Sequence, residues 1–583
     1  MNSIRMQHLM LGALAGLGLW ALIEHVDLTG RLDFAALVFA IIFFGGGLVM
    51  AGPLGVCRAL IGAAGVALPV ALLALWESTN FATPEEMMES GHAVLALVVL
   101  GALPLPFAMS LLRHGRDGLS EYPTLFMESW GVVVRYAAAA LFVGVVIAVL
   151  FLSAQLLKLV GLDMVEDWLE EPVVIWTLSG AVLGLGLAIV YELSDMISPV
   201  LVLRLLRLLL PVVLLVVLAF VLALPLRGLS SLFGHMSAAG ILIVTALGAI
   251  SLISIAVDQD DVEAVQAPIM QWCARGLAFL VPVLGAIALW ALHLRIREYG
   301  WTPARVSGVV GGLAVMGYGI AYAGAALGGR HWMGWTRRVN IAMACALIAT
   351  ATLWMTPLIN PEAISARDQM QRLQDGRLAS TQAPLWEFAH DWGVPGRAAL
   401  ATLRAEKAPQ DPEFAALLER LDASDHRWTF ERAPETVADD RLAGFRAELG
   451  VWPEGAKVPD GVLREALRLD PRRSGDSCAA LRRGEVPGCL VIVADLIPGA
   501  ELEAILITAR DVGRFSGGEL YVFRGGVWAR EGALTVPSRF AASDAEVIAQ
   551  LWSGAGAIVP AGIQALSLGD TTLVPQVYSP LDP

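Results

Sequence analysis

Residues 136–157 read YAAAALFVGVVIAVLFLSAQLL, a run of 22 residues without a charged side chain. An α-helix rises about 1.5 Å per residue, so about 20 apolar residues cross the roughly 30 Å of hydrocarbon in a bilayer. Similar runs recur along the first 360 residues and are separated by short polar connections. They predict eleven membrane-spanning helices, at residues 9–23, 34–52, 54–76, 93–112, 136–157, 173–193, 206–226, 238–257, 272–292, 306–327 and 339–358.

The charged residues divide the chain into two regions. Residues 1–360 carry 17 basic and 22 acidic side chains, whereas the shorter remainder carries 23 and 32. This contrast predicts a transmembrane domain at 1–358, a helical extramembrane segment at 359–475 and a mixed strand and helix subdomain at 476–583. The net charge of −14 argues against nucleic acid as the chief partner, because nucleic-acid binding needs basic patches.

In the extramembrane part, the spacing of apolar residues changes along the chain. Apolar residues recur at three- and four-residue spacing from Pro361 to about Asp470, which is typical of helices. From Cys489 onward the stretches CLVIVADLI, ELEAILITA and GELYVFRGGVWAREG predict strands, the last forming two strands joined by Gly525-Gly526. A final helix is predicted at Ser543–Trp552. The expected fold is a polytopic α-helical membrane protein followed by a soluble α+β domain.

Basic residues predict the orientation in the membrane. With the N-terminus inside, the inner connections and span ends hold eleven Arg or Lys residues and the outer ones hold six. The acidic loops 77–92 and 153–172 fit the outer side, whereas the acidic loop 258–271 falls inside and does not fit. An odd number of spans places the C-terminal domain outside, so we expect a bacterial inner-membrane protein with a periplasmic C-terminal domain.

Two cysteines support that orientation. Cys478 and Cys489 flank the short polar loop of CAALRRGEVPGC. A disulfide between them fits an oxidising compartment and contributes about 3 kcal/mol through loop closure. The alternative is a pair of free thiols in a cytosolic domain. The other three cysteines lie in or beside apolar runs and are interpreted as small buried hydrophobic residues.

One polar cluster lies between the ninth and tenth predicted spans, in REYGWTPARV. A structural interpretation makes Thr302 the N-cap of the next helix and places Tyr299 in the interfacial aromatic belt. A functional interpretation makes the helix N-terminus, with Arg297 and Arg305, an anion site for a lipid phosphate or an anionic substrate, with Glu298 orienting an arginine. The candidate site therefore comprises Arg297, Glu298, Tyr299, Thr302 and Arg305.

Other polar residues predict structure rather than chemistry. Glu192 and Asp195 end the sixth predicted span and are expected to pair with Arg204 and Arg207 at the start of the seventh. No predicted span has an Asp, Glu, Lys, Arg or His near its centre, which disfavours a proton-coupled transporter. Familiar phosphate-loop, zinc and hydrolase motifs are missing from the sequence, and the stretch 494–506 lacks most oxygen ligands of a calcium loop. We expect no metal, no cofactor and no catalytic residues.

Four stretches carry a family resemblance. They are REYGWTPARV at 297–306, TPLINPEAISARDQMQRLQDGR at 356–377, LWEFAHDWGVPGRAALATL at 385–403 and VWPEGAKVP at 451–459. Together and in this order they resemble a bacterial membrane family named domain of unknown function 4153. The resemblance implies a polytopic inner-membrane protein with a C-terminal extramembrane domain. It implies no biochemical activity.

The leading functional hypothesis is a non-catalytic envelope role, either sensing or scaffolding. In it the outer domain binds a periplasmic or envelope component, and membrane lipids are further partners. One alternative is a transporter or lipid flippase that uses helix breaks and the cluster from Arg297 to Arg305. Another is an enzyme for a lipid-linked substrate, with a carboxylate from the loop Trp76–Glu89 or Asp163–Glu171. The sequence does not specify an oligomeric state.

Overall fold

The structure is a computed structural model, and the chain divides in it into two compact units, Met1–Arg427 and Trp428–Pro583. The predicted boundaries after residues 358 and 475 rest on composition and remain predictions. The residues described are 3–25, 30–162, 164–193, 199–227, 238–424, 426–431, 439–470, 473, 475–496, 502–509, 515, 517–524, 527–535, 542–561, 563–568 and 571–577.

All regular secondary structure in the described part of the first unit is helical. The helices are α1 Ser3–His25, α2 Arg31–Leu54, α3 Val56–Glu77, α4 Pro84–Glu89, α5 His92–Ala102, α6 Pro104–His114, α7 Tyr122–Lys158, α8 Met164–Glu170, α9 Pro172–Glu192, α10 Pro199–Arg207, α11 Leu210–Arg227, α12 Ala238–Val257, α13 Pro268–Tyr299, α14 Pro303–Ala326, α15 Trp332–Trp354, α16 Pro361–Gln374, α17 Gly393–Glu406 and α18 Pro412–Asp422. Short 3₁₀ turns and one π-helical turn, Glu387–Asp391, connect some of them.

Ten stretches among the described residues are long and apolar enough to cross a membrane. They coincide with the first ten predicted spans. The fourth combines α5 and α6, which meet at Leu103, and the seventh covers parts of α10 and α11. These spans and the C-terminal mixed sheet confirm the predicted fold class.

The eleventh predicted span corresponds to α15, which is not among the ten apolar stretches and carries Arg337 and Arg338 near its start. Its contacts nevertheless follow α14 from end to end. Trp332 at its start shares a core with Ala326 at the end of α14, and Trp354 at its end shares one with Val306 in the first turn of α14. α15 therefore reaches between the same two ends of the bundle as α14.

The bundle has two ends, which we call the His92 face and the Arg207 face. α5 and α14 begin at the His92 face, and α12 ends at the Arg207 face. At the Arg207 face, Arg207 forms an ion pair with the buried Asp258 and donates to the Glu263 carbonyl at 2.9 Å. Arg337 donates to the Val257 carbonyl and to Asp261, both at 2.7 Å. These pairs explain why an acidic loop lies at the arginine-rich face, because the arginines neutralise it.

The pairing predicted for Glu192 is wrong. Its carboxylate accepts a hydrogen bond from Arg5 Nε at 2.8 Å, since α1 packs along α9 and brings Arg5 to the end of that helix. Arg204 and Arg207 pair instead with Glu263 and Asp258 of the acidic loop. Asp195 lies outside the described residues. Ion pairs at this face therefore join distant helices rather than one hairpin.

Glycines allow α1 and α9 to approach closely. A Cβ atom on Gly12 would lie 2.1 Å from the carbonyl oxygen of Gly180, and one on Gly16 would lie 2.1 Å from that of Trp176. A Cβ atom on Gly184 of α9 would likewise lie 2.1 Å from the carbonyl oxygen of His8. Small residues at such spacing let two helix backbones contact each other in lipid, where no hydrophobic force draws helices together.

The second unit contains a sheet with helices on both faces. Its strands are β1 Leu449–Trp452, β2 Cys489–Val493, β3 Leu502–Thr508, β4 Glu519–Arg524, β5 Val527–Thr535, β6 Gly556–Ala561, β7 Ile563–Leu568 and β8 Thr571–Val577. The helices are α19 Arg427–Glu431, which leads into the unit, then α20 Asp439–Ala447, α21 Asp460–Leu469, α22 Gly475–Ala480 and α23 Asp544–Trp552. The strand order is β1-β2-β3-β4-β5-β8-β7-β6, with β1 and β2 parallel and all other pairs antiparallel.

The central strands are buried on both sides, which explains their continuous apolar runs. Alternate residues of β2, β3 and β4 pack against α23 on one face and against α20 and α21 on the other. The predicted final helix is confirmed as α23, with Ser543 and Glu546 forming a capping box. The predicted disulfide is also present, joining Cys478 of α22 to Cys489 at the start of β2. The predicted Gly525-Gly526 connection lies outside the described residues.

A Gly12→Ala substitution tests the close packing of α1 on α9. We expect it to destabilise the protein by about 1–3 kcal/mol, because the added methyl group overlaps the Gly180 carbonyl. The measurement is thermal unfolding of the detergent-solubilised protein. Gly144→Ala on α7 is the control, since its Cβ would have no neighbour within 4 Å. Equal stability of the two variants would contradict the packing described here.

Candidate functional site

α16, the helix that follows α15, is attached to the turn between α13 and α14. The Asp368 carboxylate accepts a hydrogen bond from the Trp301 amide at 2.8 Å. Gln369 Nε2 donates to the carbonyl oxygens of Tyr299 at 2.8 Å and Trp301 at 3.0 Å. The three backbone groups of this turn therefore have partners on one face of α16.

Arg372 satisfies the C-terminal end of α13. Its Nη2 donates to the carbonyl oxygens of Arg297 at 3.2 Å and Glu298 at 2.5 Å. The last carbonyl groups of a helix have no partner within the helix, and they carry the negative end of its dipole. A buried guanidinium supplies both the missing donors and the opposite charge. We call Asp368, Gln369 and Arg372 the α16 clamp.

The clamp requires glycine at position 300. Gly300 has a φ of +75°, and a Cβ atom on it would lie 2.5 Å from both Asp368 Oδ2 and Gln369 Nε2. A larger residue would be strained in its backbone and would push the clamp away. The glycine of REYGWTPARV thus permits the contact between the bundle and α16.

A cavity of about 720 Å³ lies beside the clamp at the His92 face. Its walls come from α4 and the start of α5, the α13–α14 turn, α16 and the segment that includes the π-helical turn. We call it the boundary cavity. Among its described lining residues are six carboxylates, two arginines and one histidine: Glu86, Glu89, Glu298, Glu362, Glu387, Asp391, Arg305, Arg377 and His92. The lining therefore favours a ligand with a positively charged group.

Glu362 in the first turn of α16 is the most deeply buried carboxylate of the cavity wall, at 1% exposure. Its Oε1 lies 2.9 Å from His92 Nε2. The Trp354 indole donates to His92 Nδ1 at 3.2 Å, which leaves the imidazole proton on Nε2, facing Glu362. Glu362 Oε2 has no hydrogen-bond partner among the described residues.

A second buried carboxyl group lies near Glu362 and brings no positive charge to it. Glu77 at the end of α3 is 3% exposed and lies within electrostatic range of Glu362. Its carboxylate accepts a hydrogen bond from Asn80 at 3.0 Å, which adds no positive charge. Among the described residues, Glu362 therefore has the His92 imidazole, and no arginine or lysine, as an ion-pair partner.

The outer wall is more completely paired. Arg427 lies 2.7 Å from the Glu387 carboxylate and 3.5 Å from that of Asp391. Burial raises the pKa of the half-buried Asp391, and the neighbouring carboxylates of Glu387 and Glu89 raise it further, whereas Arg427 opposes them. Within the described part of the chain, no three His, Cys, Asp or Glu side chains are arranged to hold a metal ion.

Four of the five predicted site residues, all except Arg297, line this cavity. The structural interpretation of Thr302 is confirmed, because its Oγ1 accepts a hydrogen bond from the Arg305 amide at 3.3 Å. Arg305 Nη1 donates to the Gly300 carbonyl at 2.5 Å, and its guanidinium lies 5.7 Å from the centre of the Tyr299 ring. Arg297 is exposed, and its carbonyl serves the clamp. An anion site at these residues remains a prediction.

Sequence reasoning missed Glu362, His92 and the clamp. A signal was present, since Glu362, Gln369 and Arg372 recur along α16 at the spacing of one helix face. That face is polar, so its pattern is typical of exposure to solvent. Its actual partners are backbone groups at the end of α13 and in the following turn. A pattern of side chains along the sequence does not indicate such partners.

These features define a polytopic helical membrane protein whose extramembrane helix is fixed to the ends of its membrane helices. The profile of a family described as "Domain of unknown function (DUF4153)" matches residues 33–383, more than half of the chain. The protein belongs to this family, as the resemblance of REYGWTPARV and the following stretches predicts. No curated protein and no solved structure matches the chain.

Arg372→Ala tests the clamp. We expect the attachment of α16 to weaken by about 1.5–3 kcal/mol, the usual contribution of hydrogen bonds to a charged group. The measurement is hydrogen–deuterium exchange of amides 361–374, which should become faster than in the native protein. The control is Arg377→Ala, which removes an exposed arginine paired with Asp375 just beyond α16. Unchanged exchange in Arg372→Ala would show that the clamp does not hold α16.

Proposed function

We propose that the protein is a non-catalytic component of the bacterial inner membrane that binds an envelope component at the boundary cavity. The cavity has walls from both the membrane helices and the extramembrane segment. The α16 clamp connects these two walls through the α13–α14 turn. A ligand in the cavity would contact both parts at once, which is the arrangement that a sensing or scaffolding protein needs. This observation carries the proposal.

In this proposal, the His92 face and the residues that follow α15 lie on the periplasmic side of the membrane. Three observations support it. Basic residues are more numerous at the Arg207 face, as expected for the cytoplasmic side. The acidic loop at that face is neutralised by Arg207 and Arg337. The second unit contains a disulfide, which persists in oxidising compartments such as the periplasm.

Thiol labelling in intact cells tests this orientation. The variant to use lacks Cys57, Cys273 and Cys345 and retains Cys478 and Cys489. We expect a membrane-impermeant maleimide to label it only after treatment with a reductant, because both remaining thiols are joined in the disulfide and face the periplasm. A variant that also lacks the disulfide cysteines is the control for background. If labelling occurs only after the cells are permeabilised, and without any added reductant, the second unit lies in the cytoplasm and the proposed orientation is wrong.

A second candidate function is an enzyme that acts on a lipid-linked substrate. One observation favours it: Glu86 and Glu89, from the acidic loop Trp76–Glu89, line the same cavity as Glu387 and Asp391. The other acidic loop gives it no support among its described residues, because Glu166 forms an ion pair with Lys158 and is not at the cavity. Asp163 lies outside the described residues.

Single substitutions separate binding from catalysis. The variants are Glu86→Gln, Glu89→Gln and Asp391→Asn, each expressed in a strain that lacks the protein and compared with the native protein for restoration of the deletion phenotype. Most contacts around the rim of a binding site contribute little individually, so we expect each variant to restore function to within about threefold of the native protein. Glu166→Gln is the matched control. A single variant that is present in the membrane at normal level but behaves like the deletion would favour the enzyme.

A further inference from the structure

An apolar groove continues from the boundary cavity along the membrane helices. It has a volume of about 150 Å³ and lies between α5, α14 and α15. Its walls include Leu95 and Val99 of α5, Val310 and Ala314 of α14 and Leu347 of α15. Leu95 is 62% exposed, so this side of the bundle faces the hydrocarbon of the membrane. The natural occupant of such a groove is a lipid chain.

The groove and the cavity meet at His92, which lines both of them. On the groove side, His92 accepts a hydrogen bond from the indole of Trp354, a residue that also lines the groove. On the cavity side, it faces Glu362. The lining therefore changes from polar to apolar at His92, which lies at the end of the membrane helices. A molecule that filled both spaces would have a polar head and an apolar chain.

The charge of the cavity specifies the head. Glu362 Oε2 is buried and has no hydrogen-bond partner among the described residues, and the nearest ion-pair partner of this carboxylate is the His92 imidazole. A primary ammonium group would supply positive charge and three N–H donors, whereas a quaternary ammonium group would supply charge alone. Arg305, on the same cavity wall, is suited to a phosphate, because a guanidinium has five donors and the Gly300 carbonyl occupies one.

We infer that the cavity and the groove form one site for a phospholipid whose headgroup carries a primary ammonium group. Its ammonium group would contact Glu362, its phosphate would lie toward Arg305, and one acyl chain would occupy the groove between α5, α14 and α15. This inference rests on the proposed function, since it names the ligand of the same cavity.

The test is native mass spectrometry of the full-length protein in detergent. The probes are phosphatidylethanolamine, phosphatidylcholine and phosphatidylglycerol with identical acyl chains. We expect phosphatidylethanolamine to bind at least tenfold more tightly than either of the others, because only its head supplies both the charge and the donors that Glu362 lacks. Equal binding of phosphatidylethanolamine and phosphatidylcholine by the native protein would overturn the inference without any variant.

Variants locate the two halves of the site. Glu362→Gln should lower phosphatidylethanolamine affinity at least tenfold and leave phosphatidylcholine affinity within twofold. The control Glu24→Gln, which changes an exposed carboxylate near the end of α1, should change neither. Ala314→Leu fills the groove and should weaken all three lipids, whereas Ala342→Leu at an exposed position of α15 should not. An unchanged lipid preference in Glu362→Gln would overturn the assignment of the head.

A soluble probe distinguishes a lipid from a free amine. Phosphoethanolamine has the same head without acyl chains, and we expect it to bind at least 100-fold more weakly than phosphatidylethanolamine. Similar affinities would remove the groove from the site and overturn the assignment of a lipid. The proposed function is tested separately by thiol labelling and carboxylate substitution, so a loss of lipid selectivity alone would refute the ligand and not the envelope role.

Discussion

The last carbonyl groups of α13 need hydrogen-bond donors, and the junction between the membrane helices and the extramembrane segment depends on how that need is met. Arg372 of α16 supplies the donors, while Asp368 and Gln369 bind the turn that follows. Helix ends in water can bond to solvent, but a helix end covered by protein must find protein partners. Covering this end with α16 therefore fixes α16 in place and creates the wall of the boundary cavity.

The sequence predicts the spans well because hydrophobic length is a local property. Ten predicted spans coincide with apolar helices, and α15 follows α14 along its length despite its two arginines. Pairings between distant residues are not local, so their prediction failed. Glu192 pairs with Arg5 across nearly two hundred residues, and the acidic loop after α12 is neutralised by Arg207 and Arg337 from other helices. Charge counts along the chain cannot report such neutralisation.

The site is predicted only in part, for a similar reason. Glu298, Tyr299, Thr302 and Arg305 stand out because they interrupt an apolar sequence, and all four line the cavity. Glu362 does not stand out, because a glutamate in the first turn of a polar helix is an ordinary solvated residue. Only the fold reveals that this turn lies against His92 at the start of α5, and that the His92 ring in turn contacts Trp354 at the end of α15.

The burial of Glu362 links the cavity to the clamp. An uncompensated carboxylate in a protein interior costs on the order of several kcal/mol, which exceeds the contribution of a typical hydrogen bond, about 1 kcal/mol. A ligand that brings positive charge to Glu362 would therefore stabilise the first turn of α16. The clamp lies on the same helix, two turns further on, so occupancy of the cavity and attachment of α16 to the α13–α14 turn would be coupled in free energy. Such coupling lets a bound ligand alter how firmly the extramembrane segment is held, without any charged path through the membrane.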